Sequence, residues 1–471
     1  MTTTEIAFTP AAELSAAMRS KEISPVEVTK SVLDRIDRYD GQVNAFATLM
    51  AESAMETARE AEAAIMRGDT LGPLHGIPTT IKDLALTKGV PTQFGSQMRK
   101  GYVPDVDAPL VTRLKNAGAV IVGKTTVPEF GWKGVSQSPL TGITHNPWRY
   151  GYNAGASSAG AGAAAAAGFG VLHQGSDGAG SIRMPAAFCG VFGIKPTYGR
   201  VPNFPLSNID YCEHIGPLTR TVADGALMLK VMAGPHPWDH SSMESQPADY
   251  TGRLNESIKG RRAAFSADFG HARVDPEVAE LVAKAAGTFQ AMLGVEVEEV
   301  TPSWGPVGPE LIRSFWPAHL SHMNDLLPEW ESSMDPGLVA CVKEGKDFSF
   351  QTYQKLRERK YAYCAAIHTF FEDWDYMLAP AVSVAAFPAD RLQPEHWPQH
   401  QWDWISWAEF LYPFNMAGNP AAIVPCGFTS AGLPVGLQIV GKRFDDLGVL
   451  QASAAFEAAS PWADRRPMLQ G

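Results

Sequence analysis

The sequence predicts one large α/β domain over residues 1–471, with a β-sheet covered by helices on both faces. Three observations lead there. Short apolar, β-branched runs recur along the chain, each bounded by Gly or Pro, as strands buried on two sides require. Helical periods with start and stop signals alternate with those runs. No internal repeat and no Ser/Gly-rich linker marks a place where a second domain would begin.

The first helix with clear boundaries begins at Ser24, its N-cap, with Pro25 as first helical residue and Glu27 as reciprocal capping-box partner. Ile23 and Val28 stand where a hydrophobic staple forms, and Val28, Val32, Ile36 and Tyr39 keep helical spacing. A second helix covers about 52–67 and stops at Gly68. The stretches 77–81, 119–122 and 170–173 read as buried strands. Further on, 263–266 reads as a strand, and Pro276–Leu293 as a helix capped by Asp275. Val and Glu alternate over 295–300, which suits a half-exposed strand. The runs 421–424 and 435–440 pair through a Ser-Ala-Gly-Leu-Pro turn, ahead of a last helix over 448–458. The stretch 301–410 differs: it holds eight of the twelve tryptophans and little strand pattern, and is expected to cap the core.

Composition narrows the class. With 39 basic against 50 acidic residues and net charge −11, the chain lacks the basic surplus of a nucleic-acid-binding surface. A hydrophobic content of 45% excludes a disordered or fibrous chain. The five cysteines, Cys189, Cys212, Cys341, Cys364 and Cys426, form no Cys-x-x-Cys pair. That argues against a disulfide framework or a zinc site and fits a reducing compartment. The first residues lack the pattern of a signal peptide, and the most apolar stretch, 159–172, is too short to span a bilayer. A soluble, cytoplasmic protein without a membrane partner is expected.

Two signatures have to be set aside. Gly118-Ala119-Val120-Ile121-Val122-Gly123-Lys124-Thr125 matches the phosphate-loop pattern letter for letter. A phosphate loop curls so that its N–H groups point inward, whereas Ala-Val-Ile-Val favours a strand. Pro128 also discourages the helix that must follow, so a buried strand ending in Gly and Lys is expected. A histidine-assisted serine hydrolase fares no better. No Gly-x-Ser-x-Gly elbow occurs, and His145, His173 and His214 fit no triad order, so they are read as structural.

The informative segments are Gly155-Ala156-Ser157-Ser158-Ala159-Gly160, which opens a Gly/Ala helix, and Ser176-Asp177-Gly178-Ala179-Gly180-Ser181-Ile182-Arg183. Small neighbours let backbone N–H groups approach a reacting carbonyl, and a turn presents the serine hydroxyl at its edge. The same composition also serves plain tight packing.

Taken with Gly76-Ile77-Pro78-Thr79-Thr80-Ile81-Lys82-Asp83, Phe192-Gly193-Ile194-Lys195-Pro196-Thr197, Gly216-Pro217-Leu218-Thr219-Arg220-Thr221 and Gly432-Leu433-Pro434-Val435-Gly436, these segments resemble the amidase signature family. The resemblance covers nearly the whole chain and is weakest over about 301–400. It implies a central mixed, twisted sheet and a Ser–cis-Ser–Lys triad. Ser181 matches the nucleophile, Ser157 the bridging serine whose preceding peptide bond is cis, and Lys82 the base. The activity implied is hydrolysis of a small-molecule amide through an acyl-enzyme, with no metal and no cofactor. The resemblance places oxyanion N–H donors at Gly178, Ala179, Gly180 and Ser181, and a substrate contact at Gly131. Ser158, Asp177 and Arg183 are read as supporting scaffold.

Elementary chemistry agrees with that assignment. A serine hydroxyl needs a base, and a lysine serves only when burial destabilises its ammonium. Lys82 follows an apolar Gly-Ile-Pro run, which suits burial. Ala156, Ala159 and Ala179 stand where the family commonly has glycine, so these three should avoid left-handed backbone. Trp304, Trp316, Trp402, Trp404 and Trp407 are candidates either for an acyl pocket that sets selectivity or for cap packing. Two other readings stand beside this one. A glutaminase subunit of a tRNA-dependent amidotransferase is disfavoured by segment 208–214, which does not resemble the Ser-Leu-Asp-Gln run usual there. A catalytically silent ligand-binding relative is disfavoured because all three triad residues are present. A homodimer is left open.

Overall fold

Neighbouring residues of the sheet's strands enter two different cores. In strand Val120–Thr125, Val120 and Val122 join one apolar cluster and Ile121 the other. Strand Tyr376–Pro380 divides in the same way, Met377 and Ala379 against Tyr376 and Leu378. This is what a pleated strand covered on both faces produces. The computed structural model describes residues 3–210 and 212–470. Tyr211, part of the segment weighed against an amidotransferase reading, lies outside them.

The sheet is mixed and has eleven strands. From one edge they run Phe46–Leu49, Val120–Thr125, Pro78–Lys82, Leu172–Asp177, His214–Thr219 and Phe192–Lys195. The order continues through Ala421–Phe428, Pro434–Gly441, Tyr376–Pro380, Arg262–Phe265 and Glu296–Glu299. Antiparallel pairs fill the middle and parallel pairs flank them, except that the edge strand Phe46–Leu49 pairs antiparallel with Val120–Thr125. Helices Ala159–Ala167 and Arg183–Cys189 cover one face. Helices Pro109–Asn116, Val222–Met232, Pro276–Leu293 and Asp446–Ala459 cover the other.

Local signals act as the sequence dictates at several ends. Ser24 Oγ accepts from the Glu27 N–H at 3.1 Å, and Glu27 Oε2 accepts from the Ser24 N–H at 2.8 Å, closing the capping box of helix Pro25–Val43. Gly68 ends helix Ala51–Arg67 at φ 78°. Strand Val120–Thr125 runs straight through the phosphate-loop look-alike, and Lys124 Nζ donates to Ala85 O at 2.9 Å and Thr92 Oγ1 at 2.7 Å.

Two expectations need correction. Helix Pro276–Leu293 has the expected bounds, but the Asp275 side chain does not cap it. Its Oδ1 is 2.8 Å from His396 Nε2, a partner that sequence proximity cannot reveal. The stretch 301–410 is not wholly a cap. Helices Gly308–Leu320, Pro336–Gly345 and Phe350–Phe370 pack outside the sheet on the core shared with helix Arg183–Cys189, but strand Tyr376–Pro380 lies inside the sheet. All five cysteines are free thiols. Among the described residues no helix is long and apolar enough to cross a membrane.

Candidate active site

Lys82 ends strand Pro78–Lys82, and its side chain is wholly buried. Its Nζ lies 2.8 Å from Ser157 Oγ, 3.0 Å from Ser176 Oγ and 3.2 Å from the Ser176 carbonyl oxygen. Burial drives its pKa below the ordinary lysine range, while the Glu213 and Asp177 carboxylates act in the opposite sense.

Ser157 follows a cis peptide bond from Ala156 and leads into helix Ala159–Ala167. Every residue of that helix is Ala or Gly, and every one is buried. Helix propensity does not explain the glycines, which cost about 1 kcal/mol each. Close approach does: a Cβ on Gly160 would fall 2.1 Å from Ala45 O, and one on Gly162 would fall 2.7 Å from Pro185 Cβ. Ala156, Ala159 and Ala179 all keep clear of the left-handed region, whereas Gly155 takes φ 74°. Ser158 pins the loop to the neighbouring strand. Its Oγ donates to Ser176 O at 3.1 Å and accepts from the Ser176 N–H at 3.2 Å, and its own N–H donates to Ser181 O at 3.1 Å.

Ser181 sits in the turn between strand Leu172–Asp177 and helix Arg183–Cys189. Asp177 organises that turn. Its carboxylate accepts from the N–H groups of Gly180 at 2.6 Å and Ile182 at 3.1 Å, and from Arg183 Nε and Nη2, each at 2.9 Å. Burial alone would raise the Asp177 pKa, but the Arg183 guanidinium outweighs it and holds the carboxyl well below the usual range. Arg183 is itself buried and reaches Leu411 O, Gln438 and Asn415. One expectation changes here: the Gly180 N–H is committed to Asp177, so the turn offers Gly178, Ala179 and Ser181 as candidate oxyanion donors. Gly180 has a different duty. It takes φ 124°, and a Cβ there would strike Leu411 Cδ1 at 2.4 Å.

Gly131 approaches the site from the loop after strand Val120–Thr125. At φ 70° it brings bare backbone to Ser157, whose Oγ would be 3.2 Å from a Cβ at that position. Glu129 anchors this loop, accepting from Ser96 Oγ and from the Asp335 N–H at 2.6 Å each. Beside Gly131 opens a cleft of about 580 Å³ with Lys82, Gln174, Ser176 and Glu213 among its lining residues. Its walls are largely apolar and include Phe94, Phe130, Trp132, Phe204, Trp316 and Leu320. Of the five candidate tryptophans, Trp316 lines the cleft, while Trp304, Trp402, Trp404 and Trp407 are buried in the core. His173 and His214 are buried and held neutral by desolvation, His173 being pushed down to about 3. His145 stacks on Tyr150.

Sequence reasoning passed over Ser176, Glu213 and Asn415. Asn415 donates to the Asp177 carboxylate and carbonyl, each at 2.8 Å, and only the fold brings it there. Ser176 had a readable signal: with Gln174 it places two polar side chains at alternate positions of a strand buried on both faces.

Known proteins resemble the chain along nearly its whole length. The family model for amidases matches residues 27–450. An acylamidase of Rhodococcus erythropolis is 38% identical over 99% of this chain and 98% of its own. A glutamyl-tRNA(Gln) amidotransferase subunit of Moorella thermoacetica is 36% identical over 99% of each chain. The crystal structure of a bacterial aryl acylamidase superposes with a TM-score of 0.90 at 30% identity, covering 97% of both chains.

Proposed function

Because the chain belongs to the amidase family, we propose that it hydrolyses the C–N bond of a small-molecule carboxylic amide through an acyl-enzyme on Ser181. The observation that carries this reading is the 2.8 Å contact between buried Lys82 Nζ and Ser157 Oγ, beside the turn that holds Ser181. Desolvation favours the neutral amine of Lys82. That amine takes the Ser157 proton as Ser157 takes the Ser181 proton, and Ser181 Oγ bonds to the amide carbon. The carbonyl oxygen becomes an oxyanion facing the N–H groups of Gly178, Ala179 and Ser181. When the C–N bond breaks, the proton returns from Lys82 through Ser157 to the leaving nitrogen. Water then attacks the ester by the same relay, releasing the acid and restoring Ser181.

The apolar, aromatic cleft supports an acyl group without charge, in keeping with the acylamidase and aryl acylamidase relatives. The amidotransferase relatives support a second reading, a glutaminase subunit, which co-purification with partner subunits would establish. The test of the first is direct. Ser181→Ala should abolish amide turnover while leaving the fold intact, and a fluorophosphonate should label wild-type protein at Ser181. Retained turnover, or labelling of another serine, would overturn it.

A further inference from the structure

Ser176 and Ile215 face each other across the antiparallel strands Leu172–Asp177 and His214–Thr219. Side chains two residues apart share a face of a sheet, so Glu213 projects with Ile215 and Ser176. All three line the cleft together with Lys82. The Glu213 carboxylate packs against Gly178, where a Cβ would fall 2.8 Å from its Oε2. Burial raises its pKa, and Lys82 and the Ser176 hydroxyl act to lower it.

A neutral lysine amine has two N–H donors and one lone pair. Three oxygens surround Lys82 Nζ: the Ser176 carbonyl, which only accepts, and the hydroxyls of Ser176 and Ser157. If Ser176 Oγ accepts, both N–H groups are used and the lone pair faces Ser157. If Ser176 Oγ donated instead, it would cap the lone pair and silence the base. In its ionised form the Glu213 carboxylate only accepts, and it then draws the Ser176 proton toward itself. Building on the Ser181–Ser157–Lys82 reading, we propose that Glu213 is a positioning residue that acts through Ser176 to aim the Lys82 lone pair at Ser157.

Glu213 also has an electrostatic effect of known sign, because its negative charge favours the Lys82 ammonium. The other carboxylate facing Lys82, Asp177, is engaged by Arg183 and Asn415 and influenced by Lys195. Asp83 and Lys124 pair with each other at 3.5 Å. Neutralising Glu213 therefore moves the acidic limb of kcat/KM to lower pH even as it slows the reaction.

The experiment compares pH profiles of Glu213→Gln, Glu213→Asp and Ser176→Ala with wild type. Lys82→Ala and Ser181→Ala are run in parallel. Glu213→Gln should lower kcat about tenfold to a hundredfold, the worth of a hydrogen bond to a charged group, with KM nearly unchanged. Its acidic limb should shift downward, and Glu213→Asp should recover part of the rate. Ser176→Ala should show a similar loss, and the double variant little more than either single one. Should Glu213→Gln fail to fold, Glu213→Asp and Ser176→Ala carry the same test. Turnover surviving in Lys82→Ala or Ser181→Ala would mean that the triad reading itself had failed. Loss in both, with a wild-type kcat and pH limb in Glu213→Gln, would overturn the positioning role alone. A loss confined to KM would overturn it too, making Glu213 a substrate contact.

Discussion

Residues 155–200 and residues 301–410 contribute to the same apolar core, yet they are built by opposite means. In the first, the fit depends on atoms that are missing. Gly155, Gly160, Gly162 and Gly180 each stand where a Cβ would collide with backbone or with a buried side chain. In the second, the fit depends on large rings: Trp304, Trp404 and Trp407 are buried, and Trp316 and Trp404 both donate to the Trp132 carbonyl, at 2.9 and 3.0 Å. Close backbone approach admits few sequences, so it writes itself into Gly, Ala and Ser at fixed places. Aromatic packing can be met by many arrangements of similar volume, so the sequence shows only that the rings are abundant.

The largest expected effect lies at Lys82, whose Nζ contacts Ser157 of the small-residue region. Lys82→Arg should lower kcat/KM for amides by about 10⁴-fold, because arginine cannot shed its proton. Esters, which need less help at the leaving group, should lose less, as steady-state kinetics on a matched amide and ester would show. Next, Asp177→Asn leaves the buried Arg183 without its counter-charge and should cost about 3–5 kcal/mol in denaturant unfolding. Trp407→Ala, on the aromatic side, should cost a similar 3–5 kcal/mol by opening a cavity, and should lower activity on every substrate only as the folded fraction falls. Gly160→Ala adds a single methyl group, yet should cost about 1–3 kcal/mol, since that Cβ would fall 2.1 Å from Ala45 O. If Gly160→Ala proved neutral, the contrast between the two regions would lose its basis. The smallest effect is the most selective. Trp316→Ala should change the ranking of aryl against short aliphatic amides by on the order of tenfold. A uniform loss for all substrates would place Trp316 with the core tryptophans.

The same contrast explains what could be read in advance. Helix Pro276–Leu293 was legible because Pro at its first position and Gly294 after its end are local signals. The pair Ala421–Phe428 and Pro434–Gly441 was legible because the turn between them is short and carries Gly432. Strand Tyr376–Pro380 was not, because its apolar run sits between tryptophan-rich stretches and pairs with Pro434–Gly441 and Arg262–Phe265, both distant in sequence. Strand Phe46–Leu49 has only four residues, too few for a period to appear. In the candidate site, Lys82, Ser157 and Ser181 were singled out through motif resemblance, and the fold puts Lys82 Nζ against Ser157 Oγ. That the Gly180 N–H would be taken by Asp177, and that Glu213 would stand beside Lys82, depends on a turn geometry and a strand register that no local pattern encodes.

The central claim, that a buried neutral Lys82 activates Ser181 through Ser157, is tested most directly by the rate of fluorophosphonate labelling at Ser181 as a function of pH. As a base Lys82 would have to act in its deprotonated form, and burial shifts its titration down. The rate should therefore rise with pH through an apparent pKa clearly below the free-lysine value of about 10.4, and this rise should vanish in Lys82→Arg. A Lys82→Arg protein labelled at Ser181 with the wild-type rate and pH profile would contradict the account.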